Sequence, residues 1–365
     1  MKISRREIKS ILYLSLTSIV LTFFIAKIGF IIYQNNYHSG LEIWNRWDTK
    51  HYLNIAKYGY QYSYKDPLTI TFFPLYPWFI RLVSTHFKDY LISALFITNL
   101  SFVVTLIFFY RLVRKDFNKT VAWRTIFFFS IFPTAYFLHA GYTESLFLMF
   151  IFMAFYFARE EKWLFAAATG IFASLTRING LILIPAFLVE YIAVRKFNLR
   201  KVKLNILWIL LIAIGFIYYL YINYQIFDNP FQFGIIIKEL TWEHLSFPWV
   251  GLIDAVNRFF RYQSADWMIE GFFVILFWLF SLVLLIYSLK KIRPSYSVFA
   301  WLNFILMTIT SIWSGLPRYT LMFFPIFIVL ALLGERHAKN YFITVFSLLL
   351  QSIFLILFVQ GHWAF

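Results

Sequence analysis

Long apolar runs recur from one end of this chain to the other, and they leave few options for its fold. They lie near residues 11–33, 90–110, 121–138, 144–158, 163–176, 178–194, 204–225, 269–289, 297–313, 319–333 and 341–360. A helix needs about 20 apolar residues to cross a bilayer. Inside lipid, every backbone polar group must find a partner within the protein. The sequence therefore predicts an all-α polytopic membrane protein with about eleven spans, in a range of about nine to twelve, because several runs are shorter than one full crossing. Only 14% of residues are charged, against roughly 25% in a soluble domain. The run 163–194 reads either as two short helices around Thr176-Arg177-Ile178-Asn179-Gly180 or as one bent helix. Phe72 to Val83 is apolar but short and broken by prolines, which predicts an interfacial or re-entrant helix. No solenoid repeat, low-complexity run or separate soluble domain interrupts the chain, so residues 1–365 read as a single membrane domain.

Charge then orients the spans. The basic start Lys2, Arg5, Arg6 and Lys9 resembles a signal peptide, but the run after it is longer than a signal core and lacks a clear small-residue cleavage site. It is read as a retained helix. With the N-terminus in the cytoplasm, 21 of the 33 Lys and Arg residues fall in inner segments, 11 fall outside and Lys27 lies within the first span. Of the 17 acidic residues, 6 lie inside and 11 outside. This is the positive-inside pattern. The net charge of +16 is thus a topology signal, and anionic lipid headgroups account for it without nucleic acid. Two long segments, about 34–89 and 226–268, are expected outside, as is the C-terminus His362-Trp363-Ala364-Phe365. The Ile-, Phe-, Lys- and Asn-rich composition points to a bacterial plasma membrane. Cys is absent, which removes disulfides, thiolate metal sites and a catalytic cysteine.

The polar residues expected on the outer side are few. In Trp44-Asn45-Arg46-Trp47-Asp48, a carboxylate and a guanidinium sit among rings, with His51 and Tyr52 a turn further on. Trp44, Trp47, His51 and Tyr52 offer rings to a sugar face, and Arg46 favours an ionised Asp48. The plainer reading is a solvated carboxylate beside interfacial tryptophans. Glu144, in His139-Ala140-Gly141-Tyr142-Thr143-Glu144-Ser145, opens a helix; it either complements the helix dipole or binds an acceptor. Arg177, with Asn179, is costly at membrane depth; it either bonds free backbone carbonyls or contacts a lipid phosphate. Arg318, followed by Tyr319, either snorkels to headgroups or reaches a phosphate with a planar fork. The His residues lack metal-ligand spacing, and no metalloprotease, nucleotide-binding or nucleophile-elbow motif is present. No cofactor or metal is therefore expected. Acids, arginines and aromatic rings on one side suit transfer of a sugar from a phosphate-linked lipid. The acceptor hydroxyl needs a base and the leaving phosphate needs positive charge.

Six motifs together carry a family resemblance. They are Arg46-Trp47-Asp48 through Tyr52-Leu53-x-Ile55-Ala56-x-x-Gly59-Tyr60; Phe73-Pro74-Leu75-Tyr76-Pro77; Phe132-Pro133-Thr134-Ala135-Tyr136-Phe137; Tyr142-Thr143-Glu144-Ser145-Leu146-Phe147; Ser174-Leu175-Thr176-Arg177-x-Asn179-Gly180; and Arg318-Tyr319 followed by Phe324-Pro325. The chain resembles the PIG-V family of GPI mannosyltransferases and its bacterial relatives, within the GT-C class of integral-membrane glycosyltransferases. The resemblance implies a GT-C fold, an extracytoplasmic active site, a polyprenyl- or dolichyl-phosphate sugar donor (commonly mannose) and inversion at the anomeric carbon. It also implies that Asp48, the matching acid of the first external segment, is the general base. The chain departs from the pattern in having no acidic pair there; Asp66 is distant in sequence. The acceptor is not legible. Two other readings compete: a transporter or flippase of a lipid-linked saccharide, which needs no general base, and a non-catalytic membrane scaffold, which has no reason to gather acids and arginines on one side.

Overall fold

The computed structural model describes residues 3–33, 40–261 and 265–362. Among them the chain is helical, with a lone antiparallel bridge between Leu245 and Thr310. The helices are α1 (Arg5–Tyr33), α2 (Thr49–Tyr58), α3 (Leu75–Phe87), α4 (Tyr90–Val113), α5 (Lys119–Ser130), α6 (Glu144–Arg159), α7 (Trp163–Thr176), α8 (Leu183–Val194), α9 (Ala213–Phe227), α10 (Gln232–Thr241), α11 (Pro248–Arg261), α12 (Ala265–Ser288), α13 (Pro294–Thr308), α14 (Leu316–Tyr319), α15 (Pro325–Leu333) and α16 (His337–Gln360). Short 3-10 turns link several of them. Residues 34–39 and 363–365, which the sequence reading puts outside the membrane, lie beyond the described residues.

Caps and prolines set the ends. Asp89 and Asn118 each accept a backbone N–H of the first turn they precede, from Ile92 at 2.8 Å and Val121 at 2.9 Å. The expected span 121–138 stops at Ser130, ahead of Pro133, and resumes as a 3-10 turn at Ala135–Leu138. The expected span 319–333 is likewise broken: Leu316–Met322 and Pro325–Leu333 meet at 85°. The 163–194 run is two helices, because Arg177 is extended (φ −157°, ψ 149°).

Among the described residues, five helices are long and apolar enough to cross a membrane, and six if the bent pair counts as one. That is fewer than the eleven runs in the sequence, and burial explains the difference. Helix α6 has 16 residues, most of them buried; its surroundings are protein, so it need not match a lipid thickness. Aromatic rings fill the centre around it. Phe109 and Phe152 stack at 4.2 Å, and Phe155 meets Phe187, Tyr296 and Phe324 edge-on. The peripheral helices reverse this pattern. Leu12, Leu16, Val20 and Phe24 of α1, and Phe342, Phe346 and Leu349 of α16, are exposed. Apolar surface on that scale marks an integral membrane protein. Helices α2 and α3, as expected of the 72–83 stretch, and α10 and α11 lie in the two long segments between spans and are too short to cross.

A candidate active site between Asp48 and Glu144

Two close approaches of backbone build the site. Gly141, just ahead of α6, lies so near the start of α2 that a Cβ there would come within 2.8 Å of Thr49 Cγ2. Thr49 Oγ1 donates to the Gly141 carbonyl at 3.4 Å. The second approach is at Gly180, where a Cβ would fall 2.4 Å from the Ser174 backbone nitrogen. The chain after Arg177 therefore folds back on α7 and turns Arg177 toward the start of α6. Helix α14 brings Arg318 to the same place.

Four charged side chains meet there. Arg318 Nη1 donates to Asp48 Oδ2 at 2.9 Å. Its Nε lies 3.3 Å from Glu144 Oε1, within ion-pair distance but without hydrogen-bond alignment. Arg177 Nη1 donates to the same Glu144 oxygen and to Thr143 Oγ1, both at 2.9 Å. Aromatic rings wall the guanidinium groups. Arg318 sits 5.0 to 5.4 Å from the ring centres of Tyr319, Phe137 and Tyr142, and Arg177 lies 5.2 Å from that of Tyr319. The Tyr319 hydroxyl accepts from Arg318 Nη2 at 3.0 Å.

Neither acid is occupied with capping. Asp48 stands at the N-cap of α2, yet its side chain makes no cap hydrogen bond. Thr143 stands at the N-cap of α6 and does not cap it either; its hydroxyl accepts from Arg177. Glu144 lies in the first turn of α6, where a carboxylate complements the helix dipole, and it also meets both arginines. Glu144 is fully buried. Its Oε2 and the Arg318 Nε are buried polar atoms with no hydrogen-bond partner. Buried polar atoms without a hydrogen bond call for an explanation, which a bound ligand, ion or water supplies. Asp48 is the open member, with its side chain 28% exposed. Trp47, between Arg46 and Asp48, is held at φ +47°, an unusual conformation for a bulky residue and one that gathers at functional sites.

The other expected site residues divide. Tyr52 faces the cluster, its hydroxyl 3.4 Å from Thr143 Oγ1; burial raises its hydroxyl well above the usual range, so it stays protonated. Trp47 is 38% exposed. Arg46 is turned away: its Nη2 donates to the Val359 carbonyl at the end of α16, at 2.6 Å. Trp44 is a core residue, 1% exposed, packed on Phe23 and Phe358. Asn179 donates to Asn303 Oδ1 at 2.8 Å and stays apart from the charged cluster. His51 is buried, stacks on Phe72 at 4.7 Å and has Asp66 Oδ2 3.0 Å from its Nδ1. Burial pushes its imidazole below the ordinary range, against the opposing pull of Asp66 and Asp48. Thr143, Tyr142, Phe137 and Asp66 complete the surroundings and were not singled out from sequence, although the first three lie within motifs quoted above. Among the described residues no three His, Asp or Glu side chains gather as a metal site; Arg318 bridges the two acids instead.

Comparison with known proteins follows the same lines. Residues 67–222 match the family described as dolichyl-phosphate-mannose-protein mannosyltransferase. The chain is 24% identical over 198 residues to GPI mannosyltransferase 2 of Schizosaccharomyces pombe, covering 50% of this chain and 42% of that protein. It is 29% identical over 155 residues to GPI mannosyltransferase 2 of Cryptococcus neoformans, covering 36% and 35%. The chain thus spans less than half the length of these curated relatives. Among solved structures, ArnT from Cupriavidus metallidurans bound to undecaprenyl phosphate superposes with a TM-score of 0.55 at 16% identity, over 89% of this chain and 62% of that one. The chain has the GT-C fold, and its resemblance to the PIG-V mannosyltransferases is upheld.

Proposed function

We propose that this chain is an extracytoplasmic glycosyltransferase that moves a sugar, mannose in this reading, from a polyprenyl-phosphate donor to an acceptor hydroxyl with inversion. The observation that carries the reading is the coupling of an open carboxylate, Asp48, to a buried one, Glu144, through the guanidinium of Arg318, with Arg177 on the same Glu144 oxygen. A phosphate arriving beside the cluster meets Arg318 and Arg177 together. Asp48 takes the proton of the acceptor hydroxyl. The freed oxygen attacks the anomeric carbon as the bond from that carbon to the phosphate oxygen breaks. Polyprenyl phosphate leaves with the electron pair, and the two arginines stabilise its charge. Trp47 is the ring that offers a sugar platform. Mannose rests on the names of the matched family and relatives, and a lipid-phosphate donor on the ligand named for ArnT.

In this reading the N-terminus is cytoplasmic, and the segments 34–89 and 226–268, the C-terminus and the site face outward, in a bacterial plasma membrane. Membrane lipids and the donor are its partners, with an acceptor glycan, lipid or protein still to be identified. The deciding assay follows transfer from a polyprenyl-phosphate mannose by purified Asp48→Asn enzyme. Loss of transfer with donor still bound supports the reading. Near-normal turnover removes Asp48 from the mechanism and favours the flippase alternative.

A further inference from the structure

At the opposite end of the bundle, where α1, α5 and α16 begin, two concave surfaces adjoin. One, of about 500 Å³, is lined by Arg6, Glu7, Ser10, Lys119 and Trp123. The next, of about 330 Å³, is lined by Leu14, Trp123, Arg124, Phe127 and Asn340. Trp123 belongs to both. The sequence explains why they form one track. On α1, Arg6, Ser10 and Leu14 are spaced by four, and on α5 so are Lys119, Trp123 and Phe127. Residues four apart share a helix face. Each face therefore runs from a cation through an intermediate residue to an apolar one, in the direction in which its helix enters the membrane. That order is the order of a phospholipid, headgroup first and acyl chain after. A tryptophan at the change of polarity suits the interfacial depth.

We propose that this cleft binds an anionic glycerophospholipid of the leaflet on the N-terminal side. Charge selects the headgroup. Two cations, Arg6 and Lys119, line the headgroup surface and a third, Arg124, lines the adjoining one, against the single acid Glu7. Glu7 is already engaged: it accepts from the Tyr110 hydroxyl at 2.6 Å and from the Ser4 backbone and hydroxyl at 2.9 and 2.8 Å. Lys119 Nζ stands 3.9 Å from it and its side chain is 57% exposed, so it is free to swing to a phosphate. The N-terminal ends of α1 and α5 add partial positive charge. The apolar half, Leu14 and Phe127 beside Trp123, takes the first part of an acyl chain, which a free phosphate lacks.

The test uses the full chain purified in a neutral detergent. Binding of dioleoyl phosphatidylglycerol, dioleoyl phosphatidylcholine and inorganic phosphate is followed by native mass spectrometry and by the thermal shift each produces. The expected result is preferential retention of phosphatidylglycerol, a thermal shift from it alone, and a preference reduced about fivefold by Lys119→Gln. Arg6→Gln combined with Lys119→Gln removes more of it. Lys119 is an exposed side chain, so its variant folds even where the double variant does not. Equal retention of both lipids, an unchanged preference in Lys119→Gln, or an equal shift from phosphate alone overturns the proposal.

Discussion

Two clusters of two acids and two arginines sit at opposite ends of this bundle, and they are built to different standards. The first is Asp48, Glu144, Arg177 and Arg318. The second is Asp116, Arg159, Glu190 and Arg293, where α4, α6 and α8 end and α13 begins. In the second, Arg159 grips both oxygens of Asp116 at 2.6 and 2.9 Å. Arg293 Nε donates to both oxygens of the buried Glu190, at 2.8 and 3.0 Å, and Ser295 adds a third donor at 2.5 Å. Tyr296 receives a bond from Arg159 and gives one to Asp116. Neither of these acids nor these arginines has a buried atom without a hydrogen bond, whereas the Asp48 cluster leaves Glu144 Oε2 and Arg318 Nε without one. A closed network fastens helix ends. An open one, walled by rings and with one exposed carboxylate, has capacity left for a ligand.

The comparison requires the two clusters to lie on opposite sides of the membrane, an all-or-none matter. With no native cysteine, single probes report it cleanly. Lys65→Cys, in the segment beside the open cluster, is expected to react with an impermeant maleimide on intact cells. Lys162→Cys, beside the closed one, is expected to react only after permeabilisation. The reverse labelling pattern inverts the proposed orientation.

Next in size is a contrast between Asp48→Asn and Glu190→Gln. Removing a positioned base costs roughly 10²–10⁴-fold in turnover, and Asp48 is exposed enough that its variant is expected to melt near wild type. Breaking a buried ion pair costs about 3–5 kcal/mol, so Glu190→Gln is expected to lower the yield of folded protein and its melting temperature. The turnover of each folded Glu190→Gln molecule stays within about twofold of wild type if the closed cluster only fastens helices. Comparable turnover losses in both variants erase the distinction.

Arg318→Ala and Arg177→Ala are expected to act on the donor. Each removes a charge-assisted contact worth about 1.5–3 kcal/mol, read as a rise in donor KM or a fall in kcat/KM of roughly 10- to 150-fold. Lysine is expected to restore only part of this, because it lacks the planar fork. Unchanged kinetics in both alanine variants return these arginines to a structural role.

The open cluster was more legible in sequence than its surroundings. Asp48, Glu144 and Arg318 stood out as the few charged residues beside rings or at helix starts on the expected outer side, and Arg177 because charge is costly at membrane depth; the structure brings all four together. Trp44 and Arg46 share a short segment with Asp48 but diverge: Trp44 is seated on Phe23 and Phe358, and Arg46 reaches the last turn of α16, more than 300 residues away. Neighbours in sequence reveal no such partner. The pairings of Asn179 with Asn303 and of His51 with Asp66 were hidden for the same reason. So was the clasp in which Arg258 bonds Asp254 and Glu270, which needs α11 and α12 to fold against each other. Helix positions were legible because apolar period and proline breaks are local. The number of true crossings was not, since a short helix such as α6 is shielded by protein.

A smaller effect concerns pH at the edge of the open cluster. Burial holds the native His51 imidazole below its unfolded value of about 6.5. The unfolded chain then takes up the proton first. Stability is complete above about pH 6.5 and declines as pH falls toward the lower native value. Wild type is expected to lose a few degrees more than His51→Asn in melting temperature between pH 7.5 and 5.5, on the order of 1–3 °C. Parallel pH profiles in the two proteins remove His51 from this account, whatever the other carboxylates contribute.

The smallest expected effect is that of chelation, which is none. A divalent ion held between protein and a donor phosphate wants two or more oxygen ligands placed together. In the open cluster, arginine nitrogens stand between the oxygens of Asp48 and Glu144. In the proposed mechanism those nitrogens stabilise the leaving phosphate. Transfer by purified enzyme is therefore expected to be unchanged after EDTA, and Mg²⁺ or Mn²⁺ added back is expected to do nothing. A full loss restored by Mn²⁺ means that Asp48 and Glu144 close on a metal when donor is present, with Arg318 displaced. Asp48 is then a ligand and not a base, and the orphaned Glu144 oxygen is a second ligand of the ion.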